Sequence, residues 1–211
     1  IALLFILVAI GLERSGTYSS ALSLFRKGFY QLISGHTGTG FQTLYPKQFI
    51  NEWSDLAIVG LVCAMGLGGA ICSTTGGIKM LRVGIIYKAL REDIKRIILP
   101  EKAVLVQKFH HIKSIFLNDK QVRSALLITF CYFLLFGVGS VVGMILRYPF
   151  LDALMESTSA AANVGLSCGI TDPGMHPLLK ITYIFQMWAG RLEFMSVFTL
   201  AGFFVAAIKG K

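Results

Sequence analysis

The chain has few charged residues and few prolines for its length. Only 15% of its 211 residues are Asp, Glu, Lys or Arg, and it contains five prolines and four cysteines. Its mean hydropathy of +0.67 and its 55% of hydrophobic residues exceed the values of ordinary soluble domains. The composition therefore indicates an integral membrane protein.

No catalytic or metal-binding pattern stands out in the sequence. The four cysteines, Cys63, Cys72, Cys131 and Cys168, lack the spacing of a metal site, and we interpret them as packing residues. We expect Cys168, just beyond a glycine loop, to be accessible from outside. No Ser/His/Asp set, carboxylate pair or metal cluster converges at one depth, so the sequence disfavours an enzyme with a cofactor.

The chain also lacks an initiating methionine and a complete first span. The apolar run at residues 1–12 would extend only about 18 Å as a helix, whereas a bilayer core of about 30 Å takes roughly 20 residues. A secretory signal would need a basic start and a small-residue cleavage site, and neither is visible. We therefore expect the later part of a longer polytopic protein.

The positive charge is concentrated in one connection. The formal net charge is +9, and residues 79–123 hold eleven Lys or Arg against four acidic residues. Under the positive-inside rule, this connection is cytoplasmic, as is the C-terminus with Lys209 and Lys211. No interleaving of aromatics with arginines supports nucleic-acid binding. Loops in the near-balanced stretches on either side should open to the outside.

A short glycine-containing stretch occurs twice, 125 residues apart, at residues 34–41 and 159–166. The offset that superposes Gly40 on Gly165 also superposes Ser34 on Ser159. Each copy predicts a helix, a short helix, a glycine loop and a helix. The first short helix should cover residues 19–33, with Ser20 as its N-cap, and the second should open at 147–150. Carbonyls of a non-helical segment can replace the water around a cation, so we expect an ion pathway.

Two features interrupt the inner apolar runs at 56–70 and 181–208. The first run ends in a break at 65–79, rich in glycine and hydroxyl residues. The break is either a helix-packing face or, as we favour, an unwound segment at membrane depth. The second run contains Arg191, whose insertion costs about 2.5–3.5 kcal/mol and calls for polar partners. The 125-residue offset places Arg191 level with Gly66, so we expect it beside the break; the alternative is a packing or topology role.

Several motifs, in order, resemble the Trk/Ktr/HKT potassium transporter superfamily. They are Gly-Thr-Gly-Phe at 38–41, the break at 68–79, Asn-Val-Gly-Leu at 163–166 and Gly-Arg-Leu-Glu at 190–193. The resemblance implies an all-α integral membrane fold of tandem helix, pore-helix, helix (M1-P-M2) repeats, as in a fused potassium channel. This chain would hold two of four repeats: the third at 1–87 and the fourth at 120–211, joined by a basic cytoplasmic linker at 88–119.

The resemblance also assigns roles to individual residues. A selectivity filter would bind K⁺ through backbone carbonyls only, and its residues would be Thr37, Gly38, Thr39, Gly40, Ala162, Asn163, Val164 and Gly165. An intramembrane gate would combine the break with the basic residue of the last helix, and its residues would be Gly66, Gly68, Gly69, Ser73, Thr74, Thr75, Gly76, Gly77 and Arg191. K⁺ would be the transported ion, with no covalent cofactor.

The function that the resemblance implies is potassium uptake across the plasma membrane by a multi-pass protein. Its partners would be a second full-length chain in a homodimer, membrane lipid, and a ring of cytosolic nucleotide-binding regulatory subunits on the basic linker. A secondary transporter of a small organic solute is the main rival, since its broken helices also meet at the midplane. Such transporters typically have inverted repeats, whereas both copies here run in the same orientation. A non-conducting scaffold is the remaining alternative.

Overall fold

The computed structural model describes residues 1–16, 18, 20–70, 73, 75–98, 108–111, 113–116, 118–191 and 193–210. Ile71, Cys72, Thr74 and Leu192, which belong to the sequence motifs, lie outside the described residues, as do Lys211 and residues 99–107, 112 and 117 of the basic linker. The described part is predominantly helical, with two very short two-stranded sheets.

The first half contains five α-helices and a π-helical turn. They are α1 (Ala2–Ser15), α2 (Ala21–Leu24), the π-helical turn (Phe25–Phe29), α3 (Tyr30–Thr37), α4 (Pro46–Glu52) and α5 (Asp55–Gly66). α2, the turn and α3 follow one another without a break, so one short helix runs from residue 21 to 37. This helix is four residues longer at its C-terminal end than the predicted 19–33.

Helix ends in this half follow the local chemistry in part. Ser20 is the N-cap residue of α2, as predicted, but its side chain makes no capping hydrogen bond. Ser54 caps α5, and its hydroxyl accepts from the backbone N–H of Ala57 at 3.4 Å. α3 ends at Gly38, whose φ of 67° is the left-handed conformation that terminates many helices.

The glycine-rich break interrupts the helix as its composition predicts. α5 ends at Gly66, and the chain re-enters a helix at Met80, the start of α6 (Met80–Ile98). Between them, β1 (Leu67–Gly68) pairs in parallel with β2 (Ile78–Lys79), so the two ends of the break lie side by side. Residues 88–98 continue α6, although the sequence assigned them to the linker.

The second half follows a hairpin of β3 (Lys108–His111) and β4 (Lys113–Phe116), which pair antiparallel. Its helices are α7 (Asp119–Ile145), α8 (Phe150–Ala161), α9 (Pro177–Arg191) and α10 (Glu193–Ile208). The inner apolar run at 181–208 is divided between α9 and α10. Residues Pro177–Arg191 and Ser196–Ile208 run at 102° to each other, because the chain bends near Arg191.

The core lies where α8 packs against α5, α7 and α9. Its side chains are apolar, and those that are fully buried include Leu12, Leu32, Phe49, Leu61, Met65 and Met155. α7 presents large apolar side chains outward, among them Phe130 and Phe133, each 62% exposed. A surface of this kind needs lipid or protein to cover it.

One helix of the described part, α7, is long and apolar enough to cross a membrane. The mean hydropathy of its best 18-residue window is 2.3. The bent pair of α9 and α10 gives a second span if the two helices are taken together, and α5 is apolar but shorter. These spans fit a membrane protein whose short helices α3 and α8 do not cross the bilayer.

Candidate functional site

The two glycine loops repeat the same backbone conformation. Gly38 has φ 67° and Asn163, its equivalent at the 125-residue offset, has φ 53°. Gly40 has φ 75° and its equivalent Gly165 has φ 98°. In both loops, the same two positions therefore have left-handed backbone conformations. Glycine adopts this conformation readily, whereas other residues adopt it at an energetic cost.

Hydrogen bonds repeat with the same offset. The backbone N–H of Thr39 donates to the carbonyl of Ser34 at 3.1 Å, and that of Val164 donates to Ser159 at 2.9 Å. Each loop thus turns back on the last helical turn before it. The carboxyl ends of α3 and α8 point at the loops, and the partial negative charge there favours a cation.

The loops lie against each other. A Cβ atom built on Gly40 would overlap the carbonyl oxygen of Val164 and lie 3.4 Å from Cα of Gly165. Nearby, Gln42 Nε2 donates to the carbonyl of Ser167 at 2.7 Å, and these two residues are themselves equivalent at the offset. The structure therefore brings the eight predicted filter residues together, in two adjoining loops and the helix end that leads into the first loop. Thr37 differs slightly from expectation, because it is the last residue of α3 and not part of the loop.

The break contacts both loops. Thr75 Oγ1 donates to the carbonyl of Thr37 at 2.8 Å. A Cβ on Gly76 would overlap the carbonyl of Ala162. The segment therefore lies directly against the first residue of each predicted filter stretch.

The glycines of the break pack on one another and on the ends of the neighbouring helices. A Cβ on Gly68 would overlap the carbonyl of Gly76, and Gly77, with φ 75°, lies next to the carbonyl of Gly66. Gly69 accepts a hydrogen bond from the N–H of Met80 at 3.4 Å. Close backbone approach explains the glycines here. Thr74, the remaining predicted residue of this segment, lies outside the described residues.

Lys79 is a functional candidate that the sequence reasoning missed. It is only 6% exposed, and its ammonium group donates to the carbonyl of Ser73 at 2.9 Å and to that of Thr75. A buried ammonium must be paired, and here carbonyls of the break hold it. The available sequence signal was a lysine two residues after Gly77, at the end of the glycine-rich break.

Arg191 lies beside the break. It lines a cavity of about 130 Å³ together with Ser73, Thr75, Gly76 and Lys79. Gly66, expected at the same depth, packs instead against Phe136 and Thr158. Arg191 therefore adjoins the later part of the break and not its first residue.

Glu156 is a second residue that sequence reasoning missed. It is 3% exposed, on α8, one turn before the loop. Its carboxylate accepts hydrogen bonds from the chain that follows the loop, from the N–H groups of Cys168, Ile170 and Thr171 and the hydroxyls of Ser167 and Thr171. The equivalent residue on the first short helix is Gln31, fully buried, whose Nε2 donates to Thr43 at 2.9 Å. The available signal was a pair of acidic residues, Asp152 and Glu156, in a helix that otherwise consists of apolar and small residues.

The expected accessibility of Cys168 is wrong. Its side chain is fully buried, and Sγ lies 3.5 Å from the carbonyl of Asp152 and 3.7 Å from Glu156. The chain after the loop folds back onto α8 and covers it. Burial, followed by the negative charge of Glu156, raises the pKa of the Cys168 thiol above its ordinary value.

The groups that converge at the two loops are not a typical metal-ligand set. Among the described residues, no group of three or more His, Cys, Asp or Glu side chains could hold a metal ion. What converges at the loops is backbone carbonyls, helix carboxyl ends and small residues. Such groups suit a monovalent cation that must both enter and leave.

A family model described as TrkH, cation transport protein, matches residues 2–205. An uncharacterized cation transporter of Methanocaldococcus jannaschii is 32% identical over 81% of this chain and 35% of its own length. The Trk system potassium uptake protein TrkH of Escherichia coli (strain K12) is 28% identical over 87% of this chain and 36% of its own length. The chain thus spans about a third of the length of these curated relatives.

A solved structure is also similar. The crystal structure of the potassium transporter TrkH from Vibrio parahaemolyticus aligns with a TM-score of 0.74 and 25% identity. The alignment covers 94% of this chain and 42% of that one. The likeness extends over nearly all of the helices described above.

Proposed function

Since the chain belongs to the TrkH family of cation transport proteins, we propose that it forms part of a pathway for K⁺ uptake across the plasma membrane. The family match confirms the resemblance to the Trk/Ktr/HKT superfamily drawn from the motifs. K⁺ as the ion is supported by the names of the relatives, which include a potassium uptake protein. The family is described as one of transport proteins.

The filter is proposed to be formed by carbonyls of residues 37–40 and 162–165. The observation that carries this proposal is the repeated conformation of the two loops, which adjoin at Gly40 and Val164. Two loops of this kind surround a cation only in part. The chain spans about a third of its relatives, so we propose two further M1-P-M2 repeats, outside this sequence, that complete the ring.

The gate is proposed to be residues 66–77 of the break together with Arg191. Support comes from the contacts of Thr75 and Gly76 with the two filter stretches and from the cavity that Arg191 shares with the break. A segment in this place obstructs an ion that leaves the loops. It must move for the ion to pass.

The proposed topology rests on the distribution of charge, and the proposed partners rest on the family resemblance. The basic region at 79–123 would be cytoplasmic, and the glycine loops would face outward. We propose a homodimer of the full-length chain and a cytosolic nucleotide-binding regulatory ring that docks on the basic region.

The test is cation uptake by the full-length parent chain in liposomes. Uptake of Rb⁺, as a tracer for K⁺, in preference to Na⁺ is the expected result. Folded protein that carries neither cation would contradict the proposal and favour transport of an organic solute.

A further inference from the structure

The carboxylate of Glu156 accepts hydrogen bonds from the segment that follows the second glycine loop. Four donors converge on its Oε1: the hydroxyl of Ser167 at 2.5 Å and three backbone N–H groups, at 3.1, 3.2 and 3.4 Å. Oε2 accepts from the hydroxyl of Thr171 at 2.9 Å. Hydrogen bonds to a carboxylate are roughly twice as strong as those between neutral groups. A single side chain thus holds residues 167–171 against α8.

The same network reaches the first loop. Ser167, which donates to Glu156 through its hydroxyl, accepts from Gln42 through its carbonyl at 2.7 Å. Gln42 stands two residues after Gly40. The chain of contacts from Glu156 through Ser167 to Gln42 therefore fixes the two loops relative to each other.

The corresponding position of the first loop is built differently. Gln31, fully buried, donates one neutral hydrogen bond to Thr43. Its Oε1 is buried without a hydrogen-bond partner among the described residues. The carboxylate is thus confined to one of the two equivalent positions.

Glu156 also borders open space next to the loop. It lines a cavity of about 420 Å³ with Ser159, Val164 and Gly165. Its negative charge therefore lies beside the loop whose carbonyls would receive the ion.

We infer that Glu156 is a positioning residue that fixes the second glycine loop against the first and thereby determines cation selectivity. The inference deepens the proposed function and rests on it, since selectivity has meaning only for a cation pathway. Ion selectivity depends on carbonyl placement. Glu156 is the carboxylate that holds the chain directly after this loop, and that chain is bonded to the first loop through Ser167 and Gln42.

The first test is Glu156→Gln in the full-length chain, which keeps the shape and removes the charge. We expect the ratio of Rb⁺ to Na⁺ uptake into liposomes to fall about tenfold, equivalent to about 1.4 kcal/mol. Glu92→Gln is the matched control, because Glu92 pairs with Arg96 on α6, away from this network. A ratio for Glu156→Gln equal to that of the control would overturn the inference.

Two further variants address folding and location of the charge. Gln42→Leu removes the link to the first loop and leaves Glu156 in place, so it should lower the ratio even if Glu156→Gln does not fold. The exchange Gln31→Glu with Glu156→Gln preserves the total charge and moves it to the first loop. We expect it to retain the low ratio; full recovery would mean that charge alone matters and would contradict the positioning role.

Hydrogen exchange separates this inference from the proposed function. In the full-length protein, the backbone amides of Cys168, Ile170 and Thr171 should exchange faster in Glu156→Gln than in Glu92→Gln. Unchanged exchange overturns the positioning role whatever the transport result. Faster exchange, with no cation uptake by the unaltered protein, supports the positioning of the loop and refutes the cation pathway.

Discussion

At the scale of single residues, the two loop glycines are required for different reasons. A Cβ on Gly40 would overlap the carbonyl of Val164, whereas a Cβ on Gly165 has its nearest neighbour, Cα of Gly40, at 3.8 Å. Gly165 is needed for its φ of 98°, while Gly40 is needed for both its φ and the space. Glycine thus meets two different requirements in these loops, a left-handed backbone conformation at both positions and the absence of a side chain at Gly40.

Substitution of Gly165 should impair selectivity and leave the fold intact. Gly165→Ser places a side chain on a backbone that costs about 1–3 kcal/mol for non-glycine residues, so the carbonyls shift and preference for Rb⁺ over Na⁺ falls. Gly137→Ala on α7 is the control, because a Cβ there meets nothing within 4 Å. Unchanged uptake ratios in Gly165→Ser would contradict the assignment of this loop as a filter.

Gly40→Ala should be the more damaging change. The overlap with the carbonyl of Val164 forces the loops apart, so we expect loss of folded protein or of all uptake. Size-exclusion chromatography and uptake, measured beside Gly165→Ser, give the order of severity. A milder effect than that of Gly165→Ser would show that the loops do not adjoin as described.

Cys168 should resist modification from outside. It is fully buried and its thiol pKa is raised, so at neutral pH it remains protonated and covered. A membrane-impermeant maleimide should label His176→Cys, an exposed position in the same loop, and leave Cys168 unlabelled. Comparable labelling at both positions would contradict the folded-back loop.

At the scale of elements, the break is a segment held by a lysine from its own end. The ammonium group of Lys79 donates hydrogen bonds to the carbonyls of Ser73 and Thr75. The hydroxyl of Thr75 in turn donates to the carbonyl of Thr37. One buried ammonium group therefore helps to hold the segment in its observed position, together with the pairing of β1 with β2.

Removal of that ammonium should open the pathway. In Lys79→Met the two carbonyls lose their donor, at about 1–3 kcal/mol for each buried unsatisfied group, so we expect faster Rb⁺ uptake. Lys95→Met, on the part of α6 beyond the break, serves as control and should leave the rate unchanged. Slower uptake in folded Lys79→Met would assign the segment a packing role.

Sequence reasoning succeeded where the signal was local. The glycine loops and the break were predicted because glycine clusters in apolar runs cannot remain helical. Glu156 and Gln31 were missed because their partners lie beyond the glycine loops, where the return of the chain depends on the fold. Lys79 was missed because an unwound segment has no periodicity that places its carbonyls. The sequence placed an interruption at Arg191, but the angle of 102° between the two helices was not predicted, because the apolar pattern continues on both sides.

At the scale of the whole molecule, apolar side chains cover the outward face of α7. Phe133→Lys on this face should reduce the amount of protein recovered in membranes, because Lys at the centre of a membrane helix costs about 2.5–3.5 kcal/mol. Gln121→Lys, exposed near the start of the same helix, should not. Equal recovery of the two variants would show that α7 does not face lipid.

Gln31 and Glu156 occupy equivalent positions behind the two loops, but only Glu156 is charged. This difference has a consequence for symmetry. An assembly of identical subunits must place the same residue at every equivalent position, and an ion on its axis is attracted equally from all sides. Here two copies of the loop share one polypeptide, so one can carry a carboxylate behind it and the other a neutral amide. In the proposed pathway, the charge of Glu156 would draw a cation between them toward the second loop. Tandem fusion thus permits a lateral bias that no ring of identical chains could acquire by mutation.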